Sequence, residues 1–197
     1  MYETIPALVE RMVADLDRLP AGDARRFFHS TYLRTTRAVA DEIDQGGFLD
    51  GAWLERWDIA FAQLYLDALD ADLRGDPVPA PWRIAFDVAR DRPELPPLRH
   101  ILLGMNAHIN YDLPQALVAV ISPAEFDDPL VRAGRAADHT HVDEVLIARV
   151  GAEDTELSAA RLAELVAPGQ VLLKLTRHGF GVVLPDAPAV APGGPDG

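Results

Sequence analysis

His108 and Asp112 stand four residues apart in the segment Leu102-Leu-Gly-Met-Asn-Ala-His-Ile-Asn-Tyr-Asp-Leu-Pro114. At about 100° per residue on a helix, this spacing places one side chain above the other. A carboxyl group so placed orients an imidazole for proton transfer, or the two groups ligate one divalent metal ion. His100 falls about 80° round from His108. Asn106 and Asn110 form a second pair on nearly the opposite side, where their amides would polarise a substrate carbonyl or phosphate. Polar groups are costly to bury unpaired, and Leu102, Leu103, Met105, Ala107 and Ile109 fill the arcs between the two polar stripes. The pattern predicts a helix with no ordinary wet face, running through the middle of the protein and carrying a site.

Each of these groups also has a structural reading. His108 and Asp112 can satisfy one another and pin a kink at Pro114, and buried asparagines commonly bridge neighbouring backbones, a role that the close approach allowed by Gly104 supports. A metal centre at His108 and Asp112 needs further ligands, for which His100, His29, Asp58, His139 and His141 are the donors at hand. Asp58 lies in an apolar run with Tyr65 seven residues on along the same face, although Glu55 and Arg56 place solvent nearby. His29 and Tyr32 are three apart beside Phe27-Phe28, lining a pocket or, for His29, bonding a carbonyl at the core edge. With His100, these four residues are the candidates for substrate binding. His139 and His141 diverge by about 200° on a helix, so only an extended stretch would bring both to one ion. Arg34 is a candidate anion contact, and His178 reads as a turn residue.

The elements that must position these groups read as helices. Leu8, Val9, Met12, Val13, Leu16 and Leu19 recur at helical spacing over 5–19, and Pro20 closes the segment. Asp23 is placed to cap a second helix running to about Gln45, ended by Gly46-Gly47. A third spans about 52–73, turning Trp53, Trp57, Ala60, Phe61, Leu64 and Leu69 inward, and a fourth runs from Pro81 to just before Asp91. The polar-striped helix starts near Pro97, and Pro114 should kink or divide it. Ser122-Pro123 opens another helical turn; 131–150 and 157–167 follow as helices, and 171–184 as a small hairpin. The expected architecture is an all-α single-domain bundle over 1–185 around the central helix, with a frayed Pro-, Ala- and Gly-rich tail at 186–197.

Composition narrows the function. The chain has 197 residues, enough for one domain with a proper core, and a formal net charge of −13 that repels nucleic acid and anionic lipid. Cysteine is absent, which removes disulfides, thiolate zinc sites and a thiol nucleophile and fits a cytoplasmic protein. The first residues lack a basic start followed by an apolar stretch, and no run approaches eighteen apolar residues, so neither a signal peptide nor a membrane span is expected.

Gly104-Met-Asn-Ala-His-Ile-Asn110 followed by Asp112-Leu-Pro114 resembles the signature of a family of uncharacterised domains from high-GC bacteria. Thr31-Tyr-Leu-Arg-Thr-Thr36, Gly47-Phe-Leu-Asp50, Trp57-Asp58, Phe61-Ala62, Tyr65 and Pro81-Trp82 fit in the same order, so the resemblance covers roughly residues 5 to 150. An asparagine is usual in that family where Asp143 stands, and His141 is outside its pattern. The resemblance supports the fold and the site and implies no particular activity.

The expectation is an enzyme acting on a small molecule, with His108 as acid/base, Asp112 orienting it, and Asn106 and Asn110 polarising substrate, in acid/base or metal-assisted, hydrolase-like chemistry. The opposing expectation is a noncatalytic ligand- or partner-binding module whose polar cluster is a hydrogen-bond network. A pocket with His108 at its wall favours the first, and a sealed polar core favours the second.

Overall fold

Thr4 opens the first helix, its hydroxyl accepting the Ala7 N–H, and α1 runs Ile5–Arg18. The computed structural model describes residues 3–154, and every element in that span is helical. The second helix, α2, spans Arg25–Asp44; Asp23 lies just before it and accepts the Arg25 N–H at 2.9 Å. Asp50 caps α3 (Gly51–Arg74) by accepting the Trp53 N–H, and Gly75 ends it in the left-handed conformation that only glycine adopts freely. Next come α4 (Ala80–Asp91) and α5 (Pro97–Ala107). A π turn over His108–Asp112 leads into α6 (Leu113–Val120), a capping box of Ser122 and Glu125 starts α7 (Pro123–Asp127), and α8 spans Pro129–Asp154. The helix expected over 157–167, the hairpin over 171–184 with His178, and the tail lie outside the described residues.

Pro114 acts through the π turn. A proline ring crowds the carbonyl four residues back and supplies no N–H. Here the chain widens by one residue before the proline, and the Leu113 N–H bonds the His108 carbonyl five residues back. The helical path therefore passes from α5 to α6 without stopping, and the wide turn is where the polar groups sit, as π turns often do.

The helix α3 packs on α1, α2 and α6, while α2 also touches α5 and α8, and α4 lies on α5. His29 meets Tyr65 and Tyr32 meets Phe61, so α2 and α3 run antiparallel and Thr36 falls at the level of Asp58. Two apolar clusters result. One gathers Leu8, Met12, Phe28, Tyr65, Leu66, Leu69, Trp82 and Phe86; the other gathers Val39, Phe48, Trp53, Trp57, Ile109, Leu113 and Val142. The turn between α2 and α3 is held down from α8, where buried Asp138 accepts the N–H groups of Leu49 and Asp50 at 2.7 and 3.0 Å.

Gly104 sets the distance between α5 and α2, because a Cβ at that position would overlap the Phe28 ring. Gly104→Ala is expected to lose stability, since overpacking a buried contact costs about 1–3 kcal/mol while the gain in helix propensity is about 1 kcal/mol. Urea unfolding measures the balance, and a stabilised variant would mean that Phe28 yields freely.

Candidate functional site

His108 occupies the junction of the two apolar clusters. Its ring lies parallel to Phe61 at 3.6 Å between centroids, and Tyr32 packs edge-on at 4.5 Å. Phe28, Tyr65 and Trp82 close the surround at about 6 Å. The expected pairing is present: His108 Nδ1 lies 2.9 Å from Asp112 Oδ2, and both residues are buried. The same Oδ2 accepts the Trp82 indole N–H at 2.9 Å. A carboxylate oxygen only accepts, so this arrangement puts the imidazole proton on Nδ1 and leaves the lone pair on Nε2. Burial holds the imidazole below its ordinary pKa and outweighs the opposing pull of Asp112. At neutral pH the ring is a base, with its free nitrogen inside the protein.

That nitrogen is one of several unsatisfied groups. His108 Nε2 and Asp58 Oδ2 are buried with no hydrogen-bond partner among the described residues, and the buried Tyr32 and Thr36 hydroxyls lie side by side with no partner beyond each other. Tyr32 and Thr36 are one turn apart on α2 with neighbouring hydroxyls, and Asp58 is close enough to act on the Tyr32 phenol, which burial and then Asp58 and Asp112 push well above its ordinary pKa. Asp58 lies one turn before Phe61, the ring on which His108 stacks. Three stretches of chain thus deliver polar ends to one level of the core. Asp58 is only 4% exposed, which resolves the choice between a solvated flank and the interior in favour of the interior, and burial pushes its carboxyl up to about 7.

Several expected members lie elsewhere. Asn106 and Asn110 are exposed and bond each other, Asn110 Nδ2 donating to Asn106 Oδ1 at 2.8 Å. The α5–α6 run therefore does have a wet face, made by these asparagines with Tyr111 and Gln115. A stripe opposite the His108 stripe must face away from the core once α2, α3 and α4 cover one side. His29 is fully buried but spent on architecture: its Nε2 donates to the Met12 carbonyl at 2.7 Å, which leaves Nδ1 to accept the Tyr65 hydroxyl at 2.9 Å. Tyr65 is engaged by the same bond. His100 is buried beside Phe27 and lines a separate cleft with Phe28, Tyr65 and Gly104. Arg34 reaches the Thr31 hydroxyl on its own helix.

A metal at His108 and Asp112 does not fit the residues present. Among the described residues no three His, Asp or Glu side chains gather as ion ligands, and Asp112 Oδ2 is already an acceptor for Trp82. His139 and His141 diverge on α8 as helical geometry requires. His139 is buried against Trp57 with its pKa pushed down to about 4, while His141 bonds Glu42 and Glu144, which raise its pKa.

Sequence reasoning missed Trp82 and Thr36 as members of the site. Trp82 was visible in Pro81-Trp82, and a buried indole N–H needs an acceptor; only the packing of α4 on α5 shows which one. Thr36 carried no signal beyond its place one turn after Tyr32.

Among the described residues, no helix is long and apolar enough to cross a membrane. No curated protein and no solved structure matches the chain. One family model, described as a family of unknown function (DUF5995), matches residues 5–179. Spanning the α1 start, the paired His108 and Asp112 and α8, that match makes the chain a member of the DUF5995 family.

Proposed function

We propose that the protein is an enzyme that acts on a small molecule by acid–base catalysis, with His108 Nε2 as the base, Asp112 as its positioning partner and Asp58 as the acid. The observation that carries this reading is the unpartnered pair of His108 Nε2 on the π turn and Asp58 Oδ2 on α3, with the buried Tyr32 and Thr36 hydroxyls of α2 beside them. A network built for stability satisfies its own members, because each buried unpaired group costs about 1–3 kcal/mol. Here the paired atoms lie at the Asp112 end, and the ends that remain carry a lone pair on His108, hydroxyls on Tyr32 and Thr36, and a carboxyl on Asp58. Environments that drive an imidazole down and a carboxyl up supply a base and an acid together near neutral pH. Asn106 and Asn110, on the wet face, have no part in it. The substrate is a small molecule met in the cytoplasm, and the acidic chain takes neither nucleic acid nor anionic membrane as partner.

The enclosure of His108, only 3% exposed, favours the second reading, a structural network in a noncatalytic module. Deuterium exchange at the imidazole C2 position, read by mass spectrometry, separates the two. A working site must admit solvent through transient opening, so His108 is expected to exchange at a rate comparable to the part-exposed His141 once their different pKa values are allowed for. Protection by orders of magnitude would overturn the enzyme reading. Turnover on a panel of small esters, amides and carbon acids should show a bell-shaped pH profile. Its acidic limb reflects protonation of His108 below its ordinary range, and its alkaline limb reflects loss of the Asp58 proton at about 7.

A further inference from the structure

His141 stands between carboxylates from two helices. Its Nε2 is 2.8 Å from Glu42 Oε1 on α2, and its Nδ1 is 3.0 Å from Glu144 Oε2 on α8. A neutral imidazole has one N–H and one lone pair, so it would turn that lone pair on a carboxylate oxygen; only the imidazolium donates to both. The hydrogen bonds to Glu144 and to Glu42 accordingly raise the pKa of the ring above its ordinary value. Phe48, from the turn between α2 and α3, meets the ring edge-on at 5.0 Å and brings no charge. The Glu42 carboxyl occupies space that a side chain on Gly47 would fill.

We propose that α8 is a pH-governed strap: protonated His141 clips its second half to α2, and the neutral ring releases that half from the Trp57 and Phe61 face. The first half is fixed by other means. Asp138 accepts the Leu49 and Asp50 N–H groups, and Arg135 pairs with Asp50 at 2.6 Å and holds that carboxyl below its ordinary pKa. From His141 onward, Val142, Val145 and Leu146 lie on the cluster of Trp57, Phe61, Ile109 and Leu113. Phe61 is the ring on which His108 stacks, so lifting this half opens the far side of the layer that encloses His108. The folded protein holds the His141 proton more tightly than the unfolded chain does. The clip therefore contributes fully below about 6.5 and is lost as pH rises beyond that value. His139, on the same helix but buried against Trp57, is pushed down to about 4 and stays neutral throughout that range. The strap works on this face whether or not His108 is catalytic.

The test is native-state amide exchange of the full-length protein at about pH 6 and about pH 9, with the intrinsic rates divided out. Protection over 141–148 is expected to fall by about two- to fivefold between the two, the scale of part-exposed ion pairs. That fall should exceed any change in α4, which packs on α3 and α5 and reports the background that Asp58 imposes on every helix. In His141→Gln, which is neutral at every pH, the same amides should exchange at both pH values as those of the unsubstituted protein do at the higher one. Glu42→Gln removes the charge on α2 and should lower the His141 pKa read by NMR titration of its imidazole. An ordinary His141 pKa, a value unmoved by Glu42→Gln, a pH change over 141–148 no larger than that in α4, or a His141→Gln protein that keeps the full pH dependence would overturn the proposal.

Discussion

Replacing Asp58 with asparagine is expected to stabilise the protein by on the order of 4 kcal/mol near pH 8 and to change it little near pH 4. Burial holds the carboxyl at about 7 in the folded protein against an ordinary value of 3.8. Between those two values the unfolded chain has released a proton that the folded chain keeps. Stability therefore falls as pH rises through the window, and the full loss is present above about 7. A gap of about three units, at 1.36 kcal/mol per unit, sets the scale. Asparagine has nearly the shape of the protonated acid and never ionises, so the variant escapes the loss. His29, His108 and His139 work in the other direction: burial lowers each pKa, and their contribution fades as pH drops below about 6.5. Comparison with the unsubstituted protein at each pH removes that shared background. Urea midpoints at both pH values provide the measurement, and equal effects at the two would show that the Asp58 charge is compensated. A stabilising substitution at a buried acid is also what a functional group held at a cost to stability predicts.

The helices were legible because their information is local. Leu8 and Met12 in α1, Trp53, Trp57 and Phe61 in α3, and the stops at Gly46 and Gly75 follow from period and capping chemistry, and the observed ends agree within about two residues. The His108–Asp112 contact was equally local, since i,i+4 neighbours meet on any helix and the π turn keeps them adjacent. What failed was the choice of face. A helical wheel shows that the His108 and Asn106 stripes oppose each other, but it holds no information about which neighbours cover which side, and Asn106 and Asn110 were placed in the core when they form the wet face. His100 was misplaced for a related reason. Two turns before His108, it faces Phe27 and the α4 side, and no sequence distance encodes that the Phe28 and Tyr65 rings stand between the two histidines. Trp82 from α4, which bonds Asp112, and the buried Asp58 from α3 lie 30 and about 50 residues from the π turn and arrive only through packing.

Asp112→Asn is expected to lower turnover sharply while costing less stability than Asp112→Ala, which should lose about 2–5 kcal/mol. The alanine variant leaves the Trp82 indole N–H and the His108 Nδ1–H buried without an acceptor. Asparagine keeps the volume, and its one acceptor oxygen, placed where Oδ2 stands, still takes both N–H groups. What is lost is the negative charge beside His108 Nδ1, which raises the basicity of the imidazole and stabilises the imidazolium formed when Nε2 takes a proton. The tautomer is kept and the base is weakened, so turnover falls while the fold persists. His108→Ala does not separate a catalytic from a structural role. That ring is packed between Phe61 and Tyr32, and removing it opens a cavity and strips Asp112 of a partner under either reading. The two Asp112 variants do separate them. In a purely structural network the damage tracks the number of unpaired donors, so asparagine should retain ligand binding and any measured activity in proportion to its stability. In an acid–base site it should remain folded, with a midpoint well above that of the alanine variant, and lose turnover out of proportion to its stability. Urea unfolding and turnover measured on the same preparations decide the matter, and a folded, fully active Asp112→Asn protein would rule out the Asp112 carboxylate as the partner of a catalytic base.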